Sequence, residues 1–303
     1  MIPAYNAARY LPEALESVLG QDPGQREMQI EVVDDASAED PTALVRQVAG
    51  DRVVVHRHAE NRGHVATFNT CIERARGEFV HLLHADDAVR PGFYARLGAA
   101  LVAQPAAGAA FCRYISIDEH GQWRRIAPLE QPEAGFLEGW LEKLATGQRL
   151  QPPCIVVRRS VYEQIGAFDP RIRSYGEDWE MWTRIAARFP VWYEPEPLAL
   201  YRVAGGSLSR SALRTGDNVI QLLQVIEMIR TVLPPERAAE LTTTARRVTA
   251  HTAIRRGVRL ARAGDRAAAL AQLRASVRAD HSPRTLLYLL LGIPRVLAPR
   301  RAR

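Results

Sequence analysis

A chain of 303 residues with 47% hydrophobic and 24% charged positions has the make-up of a soluble globular protein, long enough for one large domain or a core with an appendage. It contains no leading segment resembling a signal peptide and no run of about 18 apolar residues that would span a bilayer, so a reducing, cytosolic setting is expected. The net charge of +6 is unevenly placed: Leu241 to Arg303 holds 14 Arg, no Lys and 2 Asp, a balance of +12 that leaves −6 on the first 240 residues.

A basic tail on a mildly acidic body points to phosphate or an anionic surface. Neither zinc-finger spacing nor an RNA-binding aromatic motif accompanies the arginines, which argues against a nucleic-acid reader. Cys71, Cys112 and Cys154 lack CxxC spacing, so buried thiols are expected in place of a disulfide framework or structural zinc.

The opening "MIPAYN" leaves two residues before Pro3, and the leading strand is expected to be truncated. Leu11, Leu15, Val18 and Leu19 then mark a helical face. "IEVV", Ile30 to Val33, is a short apolar strand that runs into the turn "DDAS". Leu44, Val45 and Val48 mark a second helix, "RVVVH" a second strand, and Val65, Phe68, Cys71 and Ile72 a third helix. "FVHLL", Phe79 to Leu83, is the next strand, and it ends in "HADD". Strands alternating with helices give βαβ units, hence an α/β fold with a mostly parallel central sheet flanked by helices.

Ligands of such sheets sit beyond the carboxyl ends of the strands. That rule gives both acidic pairs, Asp34–Asp35 and Asp86–Asp87, a place on one rim, although acids also open ordinary turns. No GxGxxG follows the first strand and no GxxxxGK[ST] occurs anywhere, which disfavours a Rossmann dehydrogenase and a P-loop enzyme.

From Gly108 the pattern changes. "GAAFCRYISID" reads as a strand, Leu129 to Gln151 has no clear assignment, and "PPCIVVRRSVYEQIG" reads as a strand and a short helix. "GEDWEMWTRIAARFP" is an amphipathic helix whose Trp179, Trp182 and Ile185 are expected in the core. Glu177 and Asp178 stand at its start, where exposed amides favour acids. "YRVAGGSLSR" is expected to be a loop that closes over a ligand or links domains. Beyond Leu213 the chain is nearly all helical, and "TLLYLLLGIPRVLAP" either lies on a membrane surface or docks against its own domain.

Four pieces, "IPAYNAARYLPEALESVLGQ", "IEVVDDAS", "NRGHVATFNTCIERARGEFVHLLHADD" and "GAFDPRIRSYGEDWEMWTRIA", together resemble the family-2 glycosyltransferases of the GT-A fold. The resemblance covers about Ile2 to Arg210. It implies a GT-A domain over residues 1–210, with a donor half over 1–105 and an acceptor half over 106–210, and leaves 211–303 as a basic helical region. It implies an inverting transferase using a nucleotide-diphosphate sugar, UDP or dTDP preferred. Pro3, Ala4 and Tyr5 would border the nucleobase, Asp35 would accept a hydrogen bond from it, and Arg62 with Gly63 would lie near the nucleotide. Asp86 would hold a divalent cation, Mn2+ or Mg2+, and Asp178 would be the general base.

Two departures from the family pattern stand out. "HAD" replaces DxD, which makes His84 a further candidate ligand, and "YRVA" replaces YRxH. Arg202, Glu177 and Trp179 remain candidates for diphosphate or acceptor contacts. The implied acceptor is a glycan or lipid-linked glycan in bacterial surface polysaccharide or glycoconjugate synthesis. Apart from the resemblance, the composition points to a cytoplasmic location, and the basic, apolar-ended tail to peripheral contact with the inner face of the membrane and to a lipid-linked or membrane-proximal acceptor. A catalytically impaired nucleotide-sugar binding protein and a nucleotidyltransferase are the competing readings.

Overall fold

The structure, a computed structural model, describes residues 1–203 and 208–297. The elements of the first half are β1 (Ile2–Ala4), α1 (Leu11–Leu19), β2 (Glu31–Asp34), α2 (Thr42–Ala49), β3 (Val54–Arg57), α3 (His64–Arg74), β4 (Phe79–His81), β5 (Ala88–Val89) and α4 (Phe93–Ala103). Then come β6 (Ala109–Ile117), β7 (Trp123–Ile126), β8 (Gly135–Phe136), α5 (Trp140–Ala145), β9 (Ile155–Arg158), α6 (Arg159–Ile165), α7 (Glu177–Ala186) and β10 (Val191–Arg202). Five helices follow: α8 (Leu208–Thr215), α9 (Asp217–Arg230), α10 (Pro235–Arg262), α11 (Arg266–Ala279) and α12 (Pro283–Leu297).

Two compact units divide the chain. One comprises Met1–Trp140, Leu150–Arg173 and Arg188–Ala204; the other comprises Leu141–Arg149, Ser174–Ala187 and Gly205–Arg303. The helical unit thus takes in two segments that precede residue 210.

In the first unit, β1, β2 and β3 form a parallel sheet with Ala4 opposite Asp34 and Asp34 opposite Arg57. The N–H groups of Leu83 and Ala85 donate to the carbonyls of Met1 (3.1 Å) and Pro3 (3.3 Å), so the chain leaving β4 runs alongside β1. The carboxyl ends of β1, β2 and this extension of β4 therefore share one edge, and both acidic pairs lie on it. The α/β class is as expected, with a qualification about strand direction. A second sheet of order β4-β9-β6-β10-β5, with β7 on β6 and β8 on β10, is parallel only between β6 and β10. The tight turn Asp118–Gln122 joins β6 to β7 and reverses the chain, while the other antiparallel pairs are brought together by longer connections.

Helical periodicity converts directly into burial. α1 buries Leu11, Ala14, Leu15 and Val18, α3 buries Val65, Phe68 and Cys71, and α4 buries Phe93, Leu97 and Leu101. All three cysteines are free, buried thiols. The unassigned stretch of the sequence contains β8 and α5. Part of the expected loop, residues 204–207, lies outside the described residues, and α8 begins at Leu208.

In the helical unit, Trp179, Met181, Trp182 and Ile185 of α7 are buried, as the aromatic stripe predicted. Small side chains let α9, α10 and α11 pack closely: Val219, Ala250, Ala253, Ala275 and Ala279 form one cluster, and Ile254, Ala269 and Leu273 another. Among the described residues, no helix is long and apolar enough to cross a membrane.

Candidate active site

Asp34 ends β2 and Asp35 follows it, and both are buried. Adjacent buried carboxylates repel unless donors surround them, and here the protein supplies the donors itself. Asp34 accepts the Ser37 N–H (3.1 Å), the Ser37 hydroxyl and Arg57 Nη1 (3.0 Å). Asp35 Oδ1 accepts the Arg62 N–H (2.8 Å) and lies 2.9 Å from His58 Nδ1, while Oδ2 accepts the Gly63 N–H (2.9 Å). Each oxygen offers two lone pairs, so one acceptor site on Oδ2 is left without a hydrogen bond among the described residues. Gly63 has φ of 85°, a conformation that side-chain-bearing residues adopt at a cost. That backbone turns the amides of residues 62 and 63 toward Asp35.

The same edge holds two non-glycine residues in the left-handed region, Asn6 (φ 50°) and Ala36 (φ 56°). Asn6 offsets the cost locally: its N–H donates to Ser37 Oγ (2.8 Å), and its Oδ1 accepts the Ala38 N–H (2.9 Å). Alanine has no such compensation. Ala36→Gly is expected to stabilise the fold by about 0.5–1 kcal/mol, the left-handed cost less the added chain entropy. A raised urea midpoint at unchanged slope would show this; a lowered midpoint would contradict it.

Pro3 and Ala4 are buried in β1, their carbonyls accepting the N–H groups of Ala85 (3.3 Å) and Asp35 (2.9 Å). Tyr5, one residue on, is 50% exposed. The Arg62 side chain is also exposed.

The "HADD" turn is closed by the Asp87 N–H on the His84 carbonyl (3.0 Å). His84 stacks on Phe68 with centroids 4.9 Å apart. Ligand atoms of His84, Asp86 and Asp87 all lie within 4.8 Å of one another. Asp87 is buried; its Oδ1 accepts the Arg202 N–H (2.7 Å), and its Oδ2 has no hydrogen-bond partner among the described residues. Burial, then the neighbouring charge of Asp86, pushes the Asp87 carboxyl well above its ordinary range.

Arg202 is buried as well. Its Nε donates to the Asp86 carbonyl (2.7 Å), its Nη1 to the Asp118 carbonyl (3.0 Å) and its Nη2 to the Glu13 carboxylate. The guanidinium also lies 4.6 Å from the centre of the Tyr10 ring. With those partners Arg202 braces the acidic turn from within the protein.

In the helical unit, Gly176 precedes α7 with φ of 95°, and a Cβ there would meet Leu222 Cδ2 and Val225 Cγ2 at 3.2 Å. Asp178, in the first turn, is buried. Its Oδ1 accepts the Trp179 N–H (2.8 Å), and its Oδ2 accepts the Gln148 side-chain amide. The start of a helix lowers a carboxyl pKa and burial raises it; here burial prevails. Asp178 is pushed up to about 8 by burial first and the charge of Glu177 second, against the backbone and Gln148 donors. Trp179 is a core residue whose Nε1 donates to the Leu144 carbonyl (2.6 Å).

Two contributors escaped the sequence reading of site residues. Asp87 was visible only as one of a pair, and nothing local says which of two adjacent acids turns inward. Gln148 lies 30 residues from Asp178 in the stretch without clear elements.

Residues 1–166 match glycosyl transferase family 2, and the chain belongs to that family. Among curated relatives, the succinoglycan biosynthesis protein ExoO of Rhizobium meliloti is 29% identical over 222 residues, covering 69% of this chain and 62% of ExoO. An uncharacterized protein of Mycobacterium tuberculosis is 26% identical over 240 residues, covering 74% of this chain and 73% of its own. The chain spans only 33% and 28% of the length of two rickettsial glycosyltransferases that it also matches. Among solved structures, TarS 1–349 of Staphylococcus aureus in complex with UDP superposes with a TM-score of 0.64 at 14% identity, over 94% of this chain and 90% of that one. The fold is thus of the GT-A kind.

Proposed function

We propose that the chain transfers a sugar from a nucleoside diphosphate donor, uridine or thymidine preferred, to an acceptor hydroxyl with inversion. The observation that carries this reading is the acidic turn at the strand ends of a family-2 chain, where His84, Asp86 and Asp87 present ligand atoms within 4.8 Å. The acceptor oxygen bonds to the anomeric carbon, the bond from that carbon to the diphosphate breaks, and the hydroxyl proton passes to the Asp178 carboxylate. A single base and a single displacement give inversion.

The residues of the turn fit a divalent cation. The buried, unpartnered Oδ2 of Asp87 calls for a positive partner, and two carboxylates with one imidazole suit Mn2+ or Mg2+. Asp86 and Asp87 would hold it, with His84 as the third ligand. When bound, such an ion neutralises charge on the departing diphosphate. The UDP bound to TarS favours uridine, and the lone pair left on Asp35 suits a base N–H. Pro3, Ala4, Tyr5 and Arg62 are assigned to the nucleotide's surroundings. The name of ExoO favours a role in surface polysaccharide or glycoconjugate synthesis, with a glycan or lipid-linked glycan as acceptor. Such an acceptor places the enzyme in the cytoplasm, at the inner face of the membrane.

The altered HAD and YRVA motifs favour one second reading, a domain that binds the donor without turnover. Thermal unfolding with UDP-, dTDP- and GDP-sugars, each with and without Mn2+, tests the donor. A ligand at about 100 times its Kd stabilises by about 2.7 kcal/mol. Stabilisation by a UDP- or dTDP-sugar, larger with Mn2+, is expected; a shift with GDP-sugars alone would overturn the base preference. Release of free nucleotide from the stabilising donor separates turnover from binding.

A further inference from the structure

Helix α12 shows two faces. Thr285 is buried with its hydroxyl 3.1 Å from His251 Nε2, the Tyr288 ring centre lies 4.6 Å from that of His251, and Leu289 packs on the cluster of Ile254, Ala269 and Leu273. At about 100° per residue these three residues share one arc of the helix. Leu286, Leu287, Leu290 and Leu291 occupy the opposite arc, and all four are exposed, the last three by 59%, 63% and 61%. A contiguous leucine face of this kind marks a surface that meets an apolar partner.

The setting of that face narrows the partner. Residues 241–303 carry a balance of +12, with arginine as the sole basic type apart from histidine. Arg255, Arg259, Arg274, Arg278 and Arg284 are exposed, and none forms an ion pair among the described residues. A second copy of this region would bring like charge against like charge, whereas an anionic surface is attracted. An apolar helix face in an arginine-rich region is the pattern of a helix lying in a lipid interface.

We propose that α12 seats Leu286, Leu287, Leu290 and Leu291 in the headgroup–acyl boundary of a bilayer containing anionic phospholipid, with the exposed arginines of the same basic region drawn to the lipid phosphates. This goes beyond the transfer reaction and is independent of it. Vesicle binding is measured with neither donor nor acceptor, so failure of either reading leaves the other standing.

The test is co-sedimentation of the full chain with vesicles of phosphatidylcholine plus phosphatidylglycerol, against phosphatidylcholine alone. Binding to the anionic vesicles is expected, weakened by salt. The neutral double variant Leu287→Ser, Leu290→Ser is expected to bind roughly tenfold more weakly at an unchanged Tm. No binding to anionic vesicles, equal binding to both compositions, or equal binding by the variant would overturn the proposal. A wild-type dimer that the variant dissociates, with no vesicle binding by either, would assign the face to a second copy instead.

Discussion

Replacing Asp178 with asparagine is expected to lower turnover by roughly 10²-fold or more while leaving donor affinity unchanged. The carboxylate is the proposed acceptor of the hydroxyl proton, and an amide of the same shape takes no proton. Matched donor affinity with full turnover would remove Asp178 from the reaction. The pH profile gives an independent check. Only the ionised form accepts a proton, so kcat/KM is expected to climb as pH rises through about 8, where burial and Glu177 place the group. The same displacement acts on stability in a defined direction. A carboxyl held above its unfolded value contributes stability that is complete below that value and is lost as pH rises through the folded one. The Tm of the native chain should therefore fall between the ordinary carboxylate range and about pH 8, and the Asp178→Asn variant should show a flatter slope. A variant with the same slope as the native chain would contradict the buried setting of Asp178.

Removal of the turn's carboxylates has the second large expected effect. In the native chain Mn2+ is expected to tighten UDP binding by about 10²-fold, the order of charge stabilisation that a metal supplies to a phosphoryl oxygen. Asp86→Ala should erase that increment, leaving one affinity with and without the ion. Asp87→Asn is the companion variant: it keeps the shape and the acceptor for the Arg202 N–H while withdrawing the unpartnered carboxyl oxygen that would ionise against a cation. Calorimetric titration of UDP in all combinations checks both. A native chain indifferent to Mn2+, or an Asp86→Ala protein that retains the increment, would exclude the turn as a cation site.

Legibility in the sequence followed the range of the interactions. The α3 stripe of Val65, Phe68 and Cys71 was readable because a helix repeats its face every three to four residues, and the structure buries all three. Both acidic pairs could be placed on one edge because strand ends obey a topological rule. Arg202 could not be understood the same way. Its partners Glu13 and Asp118 lie 189 and 84 residues away, and no local pattern announces them. Strand direction after Gly108 was legible only in part: helical spacers signalled parallel pairing in the first half, a tight turn reverses β6 into β7, and β9 pairs antiparallel with β6 across a long connection that no local pattern announces. The pKa of Asp178 depended on opposing influences whose balance only a packed interior decides.

The knot of Asp35 with the amides of Arg62 and Gly63 has a chemical corollary. Phosphate-cradling loops work by pointing spare N–H groups at an incoming anion. Here the chain has installed an anion of its own ahead of α3, and these two donors arrive already occupied. Under the proposed reading, a diphosphate approaching this edge would have to draw its counter-charge from elsewhere, and a cation held at the neighbouring acidic turn would make up for that internal substitution.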